Sequence, residues 1–447
     1  MEGKKLKTLS QITLVFTLLV TLVCSQFAIS ANPVLADDND ILDIKAEAAI
    51  LLDGETGKIL YEKNADKVLG VASMSKMMTE YIVLEAINEG KISWDDKVQI
   101  NEYVHNLSKA PGLSNVGLTQ GESYTVKELY EAMAIFSGNA ATVALAELVS
   151  GSEKNFVKLM NEKAEKLGMK DYKFVNASGL NNSNLLGNIP AGSETDENVM
   201  SARDTATLAY RLLTDFPEVL ETSSQPKLSF RDGEEYPNFN WMLPGLIFEY
   251  QGVDGLKTGS TDFAGFGFTA TAERNGQRFI SVVMKSTTKN ERFTDTAKIL
   301  NYAFSNFSKE EILPAKYQPE KDGKIAVSKG KEDTVTLQTS KAIDLVIEKG
   351  TKESYKPVVV IDQDKLNEDG ELTAPVKKGD VIGYVTVESA DDKYGFITSS
   401  GQKLTRVDLV ATKDVEKANW FILSMRAVGG FFGDVWETVS STVKGWF

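Results

Sequence analysis

Alternating apolar and polar residues indicate two hairpins, one near each end of residues 46–307. The first, AAILLDGETGKILYEK, turns between Asp53 and Gly57. The second lies in AGFGFTATAERNGQRFISVVMKS, where Asn275-Gly276 is a dipeptide that favours a two-residue turn. Since a period of two is typical of strands, both stretches predict antiparallel strand pairs.

Apolar residues spaced three or four apart predict helices between and after these hairpins. One helix begins at Ser73, a second follows a capping box of Thr125 and Glu128, and two others cover residues 152–168 and 290–304. Strands at both ends of the region with helices between them predict an α+β fold. We expect an antiparallel sheet that carries an inserted helical lobe.

Residues 309–412 have a different pattern. Short runs rich in β-branched residues, such as KPVVVID and DVIGYVTVE, are separated by clusters of Gly, Asp and Lys. This pattern is typical of a small all-β domain. Nothing in it indicates a reaction centre, so we expect a spacer or docking module.

The last segment, residues 413–447, carries an apolar stripe at intervals of three and four residues from Phe421 to Trp446. Charged residues interrupt the segment, so it is unsuited to crossing a bilayer. We expect an amphipathic helix that lies in the membrane interface and anchors the protein. The alternative is a helix packed on the β domain or on a partner, because glycines weaken the helix and basic residues are not in excess.

The first 36 residues have the pattern of a secretory signal. A basic start precedes the apolar run ITLVFTLLVTLVC, and VLA ending at Ala36 provides small residues for cleavage. An uncleaved anchor is the alternative. We expect the mature protein to begin near Asp37. We also expect it to be located at the outer face of a bacterial cytoplasmic membrane.

Composition excludes several classes of function. The chain has 49 basic and 63 acidic residues, a net charge of −14, so its surface repels nucleic acid. The one cysteine, Cys24, lies inside the signal, and cleavage leaves no thiol for disulfides, thiol catalysis or thiolate metal sites. The one histidine, His105, gives little means of building a Ser-His-Asp site or a metal site. We expect neither a metal nor a cofactor.

Ser73 and Lys76 are three residues apart at the start of the predicted helix VASMSKMMTEYIVLEAI, which places both side chains on one face. Ser-x-x-Lys occurs six times in the chain, so the tetrad alone is a weak indication. Ser73 is distinguished by its position, because the backbone N–H groups in the first turn of a helix are unpaired and point toward its hydroxyl. Ser73 is therefore a candidate nucleophile and Lys76 its candidate base.

Two further motifs follow in order, each occurring once. Ser137-Gly138-Asn139 lies between two predicted helices, and Lys257-Thr258-Gly259 ends a predicted short strand in VDGLKTGSTDFAG. Taken separately, the first could be an interhelical turn and the second a solvated strand end. Together with Ser73 and Lys76, the set resembles the serine acyl-transferases that recognise penicillin.

Within that superfamily the chain is similar to the low-molecular-mass penicillin-binding proteins that act as D-alanyl-D-alanine carboxypeptidases. The blocks SGNAA, FVNASGL, SARDTATLA and NFNWML carry this resemblance over about residues 45–308. The β domain and the tail are similar to that family as well. The resemblance implies a β-lactamase/transpeptidase-like catalytic domain over residues 37–308. It also implies that peptidoglycan stem peptides ending in D-Ala-D-Ala are substrates and that β-lactams are covalent inhibitors.

The resemblance also implies how the catalytic residues act. Ser73 is expected to attack the carbonyl between two D-alanines, and water then releases the shortened peptide from the acyl-enzyme. Lys76 needs a lowered pKa to act as the base, and the Lys257 cation is the expected cause. Ser137 is expected to relay a proton to the leaving amine. Either Lys76 or Ser137 could be the base in acylation.

Further residues are expected to bind the substrate. Asn139 holds Lys76 and bonds to the substrate, and Lys257 and Thr258 bind the terminal carboxylate. Gly259 allows the strand to approach closely, and the Ser260 N–H completes with that of Ser73 an oxyanion hole. Arg292 resembles a family arginine near the carboxylate pocket.

Two alternatives are a β-lactamase, or another penicillin-recognising serine hydrolase, and a non-enzymatic cell-wall binding protein. Class A β-lactamases use a glutamate to activate the deacylating water, and residues 170–188 contain none. Gly138 also stands where those enzymes carry Asp. Slow hydrolysis of β-lactam adducts is the expectation.

Overall fold

The computed structural model describes residues 40–421 and 423–425. The predicted signal, residues 1–36, and the greater part of the predicted anchor, residues 413–447, lie outside the described residues. No helix within the described part is both long and apolar enough to span a membrane.

The strands of the described part are numbered in chain order. They are β1 (Ala48–Asp53), β2 (Ile59–Lys63), β3 (Leu69–Gly70), β4 (Lys97–Gln99), β5 (Ser123–Thr125), β6 (Tyr172–Lys173), β7 (Val199–Met200), β8 (Lys227–Ser229), β9 (Glu235–Pro237), β10 (Val253–Thr261), β11 (Gly265–Arg274), β12 (Gln277–Ser286), β13 (Phe307–Leu313), β14 (Lys324–Ser328), β15 (Thr334–Thr339), β16 (Ile343–Glu348), β17 (Lys356–Ile361), β18 (Leu372–Thr373), β19 (Val381–Glu388) and β20 (Val407–Ala411).

The α-helices of the same part are α1 (Lys76–Asn88), α2 (Glu102–Ser108), α3 (Val126–Ala134), α4 (Asn139–Ser150), α5 (Glu153–Lys166), α6 (Ala202–Asp215), α7 (Val219–Ser223), α8 (Glu291–Asn306) and α9 (Ser399–Leu404). Short 3₁₀ turns cover Ala72–Ser75, Asn182–Asn184, Arg231–Gly233, Lys352–Ser354 and Gln363–Lys365.

The catalytic domain is built on a five-stranded antiparallel sheet with the order β10-β11-β12-β1-β2. Strands β1 and β2 precede the helical lobe in the sequence, whereas β10 to β12 follow it. Strand β1 pairs with β12 from Ala48 opposite Met284 to Asp53 opposite Phe279. The prediction of an antiparallel sheet with an inserted helical lobe is therefore confirmed.

The sheet is covered on both faces. Ile50 and Leu52 of β1 pack into the core of the helical lobe, whereas Ala49 and Leu51 pack into a second core with α8. Successive side chains of a strand point to opposite faces, so a strand buried on both faces reads as the unbroken apolar run AAILL. Burial of these two cores, at about 25 cal/mol per Å² of apolar surface, is the main force that holds the catalytic domain together.

The β domain has its own core, centred on residues such as Val335, Leu337 and Leu409. Its six-stranded sheet has the order β17-β19-β20-β15-β14-β18, and a separate pair joins β13 to β16. The predicted all-β domain is confirmed in its strands. Strand β13 spans residues 308 and 309, and the domain boundary placed between them stays a prediction.

A loop of the β domain is docked on the turn between β1 and β2. Ile59 donates its backbone N–H to the Gly395 carbonyl at 2.9 Å, and Ile397 donates to the Gly57 carbonyl at 2.8 Å. The buried Lys58 ammonium pairs with Asp392 at 2.7 Å. These contacts join the β domain to the far end of the central sheet's β1–β2 hairpin.

Candidate active site

Ser73 lies in a constrained turn immediately before α1. The sequence predicted that the helix begins at Ser73, but residues 72–75 form a 3₁₀ turn and α1 begins at Lys76. Ala72 has a φ of +47°, a conformation that is unfavourable for a residue with a Cβ. A Cβ on Gly179 would lie 1.9 Å from the Ala72 carbonyl oxygen, so the loop around Gly179 is packed directly against this turn.

Lys76 is fully buried and holds the site together. Its Nζ lies 2.9 Å from Ser73 Oγ, 2.8 Å from Asn139 Oδ1 and 2.7 Å from the Ser178 carbonyl oxygen. Burial, and then the Lys257 ammonium, hold the pKa of Lys76 well below its usual range, while Glu80 acts in the opposite direction. The direction matches the predicted one, but burial is a larger cause than the Lys257 cation on which the sequence argument relied.

Asn139 is fixed by the loop that precedes α3. Its side-chain amide donates to the Ser114 carbonyl at 2.9 Å, and its backbone N–H donates to the same oxygen at 3.0 Å. Because the NH₂ group is committed to Ser114, the amide oxygen must point toward Lys76. Asn139 thus orients the amine of Lys76.

Ser137 lies in the short connection between α3 and α4, as predicted, and has a φ of +61°. Its hydroxyl oxygen is buried and has no hydrogen-bond partner among the described residues. The Gly138 N–H donates to the Ala132 carbonyl at 2.8 Å and closes the connection. A strained backbone and an unpaired buried hydroxyl are features that proteins tolerate at functional sites.

Lys257, Thr258 and Gly259 lie inside β10. The prediction that they end a short strand is wrong, because Ser260 and Thr261 continue the pairing with β11. The turn follows only at residues 262–264. Alternation along the strand does not decide burial here, since Lys257, Thr258 and Gly259 are all buried.

The strand and the Ser73 turn are in direct backbone contact. A Cβ on Gly259 would lie 2.4 Å from the Val71 carbonyl oxygen and 3.0 Å from the Met74 nitrogen. Gly267, the partner of Gly259 on β11, would place a Cβ 2.6 Å from the Met74 methyl group. Two paired glycines therefore let the Lys257 motif and the Ser73 turn meet, as the sequence argument expected for Gly259.

Lys257 is a second buried amine, with 3% of its surface exposed. Its Nζ makes a long contact of 3.5 Å to the Thr258 carbonyl. Burial lowers the pKa of Lys257 to about 8, with Arg292 acting in the same direction and Glu80 opposing both. The ammonium form is therefore available near neutral pH to attract an anion.

Arg292, at the start of α8, reaches the backbone of both glycine strands. Its Nη1 donates to the carbonyls of Gly259 and Gly267 at 3.3 Å each. Burial lowers the pKa of Arg292 to about 10. Arg292 braces β10 against β11 behind the motif, and Ser260 lies exposed on the next position of β10.

The residues that support Lys76 were not predicted from the sequence. Ser178 acts through its backbone carbonyl, so its side-chain type gives no signal. The loop that carries it is held by Glu153, which accepts the Ala177 N–H at 2.9 Å, and by Asn176, which accepts the Gly179 N–H at 2.7 Å. Glu80 could have been found, because it lies four residues after Lys76 on the same helix face.

Comparisons with known proteins identify the family of this chain. The model of the D-alanyl-D-alanine carboxypeptidase family matches residues 33–288, and that of the penicillin-binding protein 5 C-terminal domain matches residues 307–417. The D-alanyl-D-alanine carboxypeptidase DacF of Bacillus subtilis is 33% identical over 386 residues, which cover 86% of this chain and 90% of DacF.

Two solved structures are similar along much of their length. A peptidoglycan synthesis regulatory factor (PBP3) from Streptococcus pneumoniae has a TM-score of 0.70 at 35% identity, over 83% of this chain and 99% of that one. Penicillin-binding protein D2 from Listeria monocytogenes, in an ampicillin-bound form, has a TM-score of 0.51 at 37% identity, over 59% of this chain and 99% of that one.

The fold and these matches define a hydrolase of the peptidase class. The chain belongs to the D-alanyl-D-alanine carboxypeptidase family, whose members are low-molecular-mass penicillin-binding proteins. The resemblance inferred from the sequence motifs is confirmed.

Proposed function

We propose that the protein is a serine-type D-Ala-D-Ala carboxypeptidase that removes the terminal D-alanine from peptidoglycan stem peptides through an acyl-enzyme on Ser73. One observation carries the proposal: the fully buried Lys76 amine lies 2.9 Å from the Ser73 hydroxyl. A serine needs an adjacent base to act as a nucleophile. Lys76 is in reach, and its surroundings favour the neutral amine.

Acylation begins with neutral Lys76. A neutral amine has two N–H donors and one lone pair, and the site offers two carbonyl oxygens, those of Asn139 and Ser178, for the donors. The lone pair is then left for the Ser73 hydroxyl proton. Ser73 Oγ attacks the carbonyl carbon between the two D-alanines while its proton passes to Lys76 Nζ. The N–H groups of Ser73 and Ser260 are assigned to the developing oxyanion.

Release of the first product needs a proton on the departing amine. Ser137 Oγ, two residues before Asn139 in the chain, is buried with no described partner, and we assign it to accept a proton from Lys76 and pass its own to the leaving nitrogen. The C–N bond breaks and free D-alanine departs. Water then attacks the ester, gives a proton to Lys76, and releases the shortened peptide as Ser73 recovers its hydrogen.

The exopeptidase specificity follows from Lys257 and Thr258. The Lys257 ammonium and the Thr258 hydroxyl are assigned to the terminal carboxylate of the substrate, with Arg292 behind them. A charge-assisted bond to a carboxylate is about twice as strong as a neutral one. An amidated D-Ala-D-Ala peptide lacks this charge, so we expect it to be a poor substrate.

A β-lactam follows the same route as far as the ester, because its ring amide stands for the scissile bond and its carboxylate for the terminal one. The ampicillin-bound form of the Listeria relative supports this. Incubation with benzylpenicillin, followed by intact-mass measurement over time, tests the proposal. A long-lived adduct that Ser73→Ala lacks supports a carboxypeptidase; rapid turnover of penicillin favours a β-lactamase, and no adduct under any condition favours a non-enzymatic wall-binding protein.

We further propose that the tail attaches the protein to the outer face of the cytoplasmic membrane. Trp420, Phe421 and Met425, which begin the apolar stripe, are exposed. Large apolar side chains that stay in water on a folded domain commonly mark a membrane or partner surface. A chain that ends at Lys417 should leave the membrane fraction and keep its D-alanine release, whereas continued membrane association would contradict this role of the tail.

A further inference from the structure

The catalytic domain contains a buried carboxyl group whose charge acts on both lysines of the site. Glu80 is on α1, four residues after Lys76 and therefore on the same helix face. Only 2% of its surface is exposed, and its Oε1 has no hydrogen-bond partner among the described residues. Carboxyl groups are almost never buried without a partner. Glu80 therefore needs an explanation that the fold alone does not supply.

The charged groups that act on Glu80 are the two amines of the site. Lys257 from β10 and Lys76 from its own helix favour the ionised form, while burial opposes it and raises the pKa of Glu80 to about 7. Tyr130 of α3 is a neutral phenol, because burial and then the charges of Glu80 and Glu218 raise its pKa. Glu80 raises the pKa of Lys257, and Arg292 lowers it.

We propose that Glu80 is a positioning residue, the internal counter-charge that keeps Lys257 an ammonium at the pH where Lys76 is already a neutral amine. The inference rests on the proposed function, because it assigns Lys257 to the substrate carboxylate and Lys76 to the base. The Lys76 amine, the Lys257 ammonium and Arg292 are all buried, and each cation lowers the pKa of its neighbouring amine. Without a negative charge, Lys257 would also lose its proton and the carboxylate would lose its partner.

The sign of the effect on each lysine is the same. The Glu80 carboxylate stabilises the ammonium form of both, so its removal lowers the pKa of Lys257 and the pKa of Lys76. Lys76 becomes a neutral base at lower pH, which moves the acid limb of the activity profile down. Lys257 loses its charge at lower pH, which moves the alkaline limb down. The alkaline limb therefore shifts further toward acid than the acid limb does, because Glu80, with a pKa of about 7, carries little charge on the acid side.

The test is the pH profile of kcat/KM for D-alanine release in the full chain and in Glu80→Gln. We expect the alkaline limb to move down by about one pH unit and the acid limb by less, because Glu80 is itself largely protonated below pH 7. At pH 8.5 the variant should show a KM about fivefold to tenfold higher than that of the wild type, because Lys257 is then mostly neutral. At pH 6 it should be at least as active as the wild type. Glu80→Asp keeps the charge and should return both limbs toward the wild-type positions.

Glu85→Gln is the matched control, because Glu85 lies on the same helix and pairs with Lys163 away from the site. It should leave the profile in place. If Glu80→Gln does not yield folded protein, Glu80→Met fills a similar volume without polar atoms and should give the same shifts. A Glu80 variant with unchanged limbs overturns the inference, even if its melting temperature falls. Failure of the wild type itself to release D-alanine or to form a penicillin adduct would instead overturn the proposed function.

Discussion

The same tetrad, Ser-x-x-Lys, occurs in both domains and has opposite surroundings in each. In the catalytic domain, Lys76 has 0% of its surface exposed and contacts Ser73. In the β domain, Lys331 lies three residues after Ser328. Its side chain is 55% exposed and pairs with Glu416. The two tetrads have the same residue types, but only the buried amine has surroundings that favour loss of its proton. The chemistry therefore depends on where the fold places the tetrad.

The two domains also differ in what their cores contain. The buried polar residues of the described β domain are the threonines Thr339 and Thr405. The catalytic domain buries ionisable residues that include Lys76, Glu80 and Lys257. A buried charge costs free energy unless it is paired, and evolution retains such groups where they act. The β domain is therefore stabilised by packing, whereas the catalytic domain retains buried charged groups that lower its stability and serve the reaction.

The largest effect is expected from Lys76→Arg. Arginine keeps the positive charge but cannot lose its proton in a protein, so it cannot act as a base. The rate of D-alanine release should fall by about 10³-fold or more. Lys331→Arg, the same change in the β-domain tetrad, should leave the rate unchanged. If Lys76→Arg releases D-alanine at a rate comparable to that of the wild type, Lys76 is not the base.

A smaller loss is expected when Gly259 gains a side chain. Gly259→Ala places a Cβ against the Val71 carbonyl and must displace the Ser73 turn. A shift of about 1 Å between reacting groups can cost up to about 100-fold, so the acylation rate with benzylpenicillin should fall by roughly 10- to 100-fold. Gly395→Ala in the β domain meets no atom within 4 Å and should acylate at the wild-type rate. Equal rates in both variants would contradict the close approach.

Buried acid groups should make the stability of the catalytic domain depend on pH. Burial raises the pKa of Glu153 to about 7, and the Ala177 N–H only partly offsets this. The ionised form is disfavoured in the fold, so stability is fully present below about pH 4.5 and falls as pH rises toward 7. Glu153→Gln should raise the free energy of unfolding at pH 8 by on the order of 2 kcal/mol and leave it nearly unchanged at pH 4.5.

The measurement is urea unfolding at the two pH values. Asp344→Asn, which changes an exposed carboxylate on β16, is the β-domain control and should alter neither value. A Glu153→Gln variant that is less stable than the wild type at both pH values would show that hydrogen bonding to Ala177, and not the cost of burying charge, governs this position.

The smallest effect is expected at the junction of the two domains. The Tyr355 hydroxyl accepts from Lys58 at 2.7 Å and donates to Asp392 at 2.5 Å. Tyr355→Phe removes both bonds but leaves the direct Lys58–Asp392 pair, so the cost in unfolding free energy should be about 1 kcal/mol. D-alanine release should be unaffected, because these junction contacts involve none of the residues assigned to the site. A tenfold loss of activity would show instead that the β domain acts on the site.

The parts of the fold that were predictable are those fixed by local chemistry. Asn275 and Gly276 both have positive φ, the conformation that their hairpin turn requires. The Thr125 and Glu128 side chains form the predicted capping box. In each case, residue types a few positions apart determine the backbone, and the sequence carries the whole signal.

The support of the site was not predictable in the same way. Lys76 is held by the Ser178 carbonyl, and Asn139 is oriented by the Ser114 carbonyl. A backbone carbonyl is the same in every residue, so only the tertiary fold shows which one is in place. Lys257 was predicted on a strand, but that strand was expected to end at Gly259, whereas pairing with β11 continues it to Thr261.

The most direct test of the central claim is the protonation state of Lys76 itself. In protein with ¹³C-labelled lysine side chains, the ε-carbon resonances can be followed against pH by NMR, with Lys76→Arg to assign the signal. The account predicts one lysine, absent from that variant, that is already a neutral amine at pH 7. If every lysine resonance remains that of an ammonium up to pH 9, Lys76 is not the base, and the account is wrong.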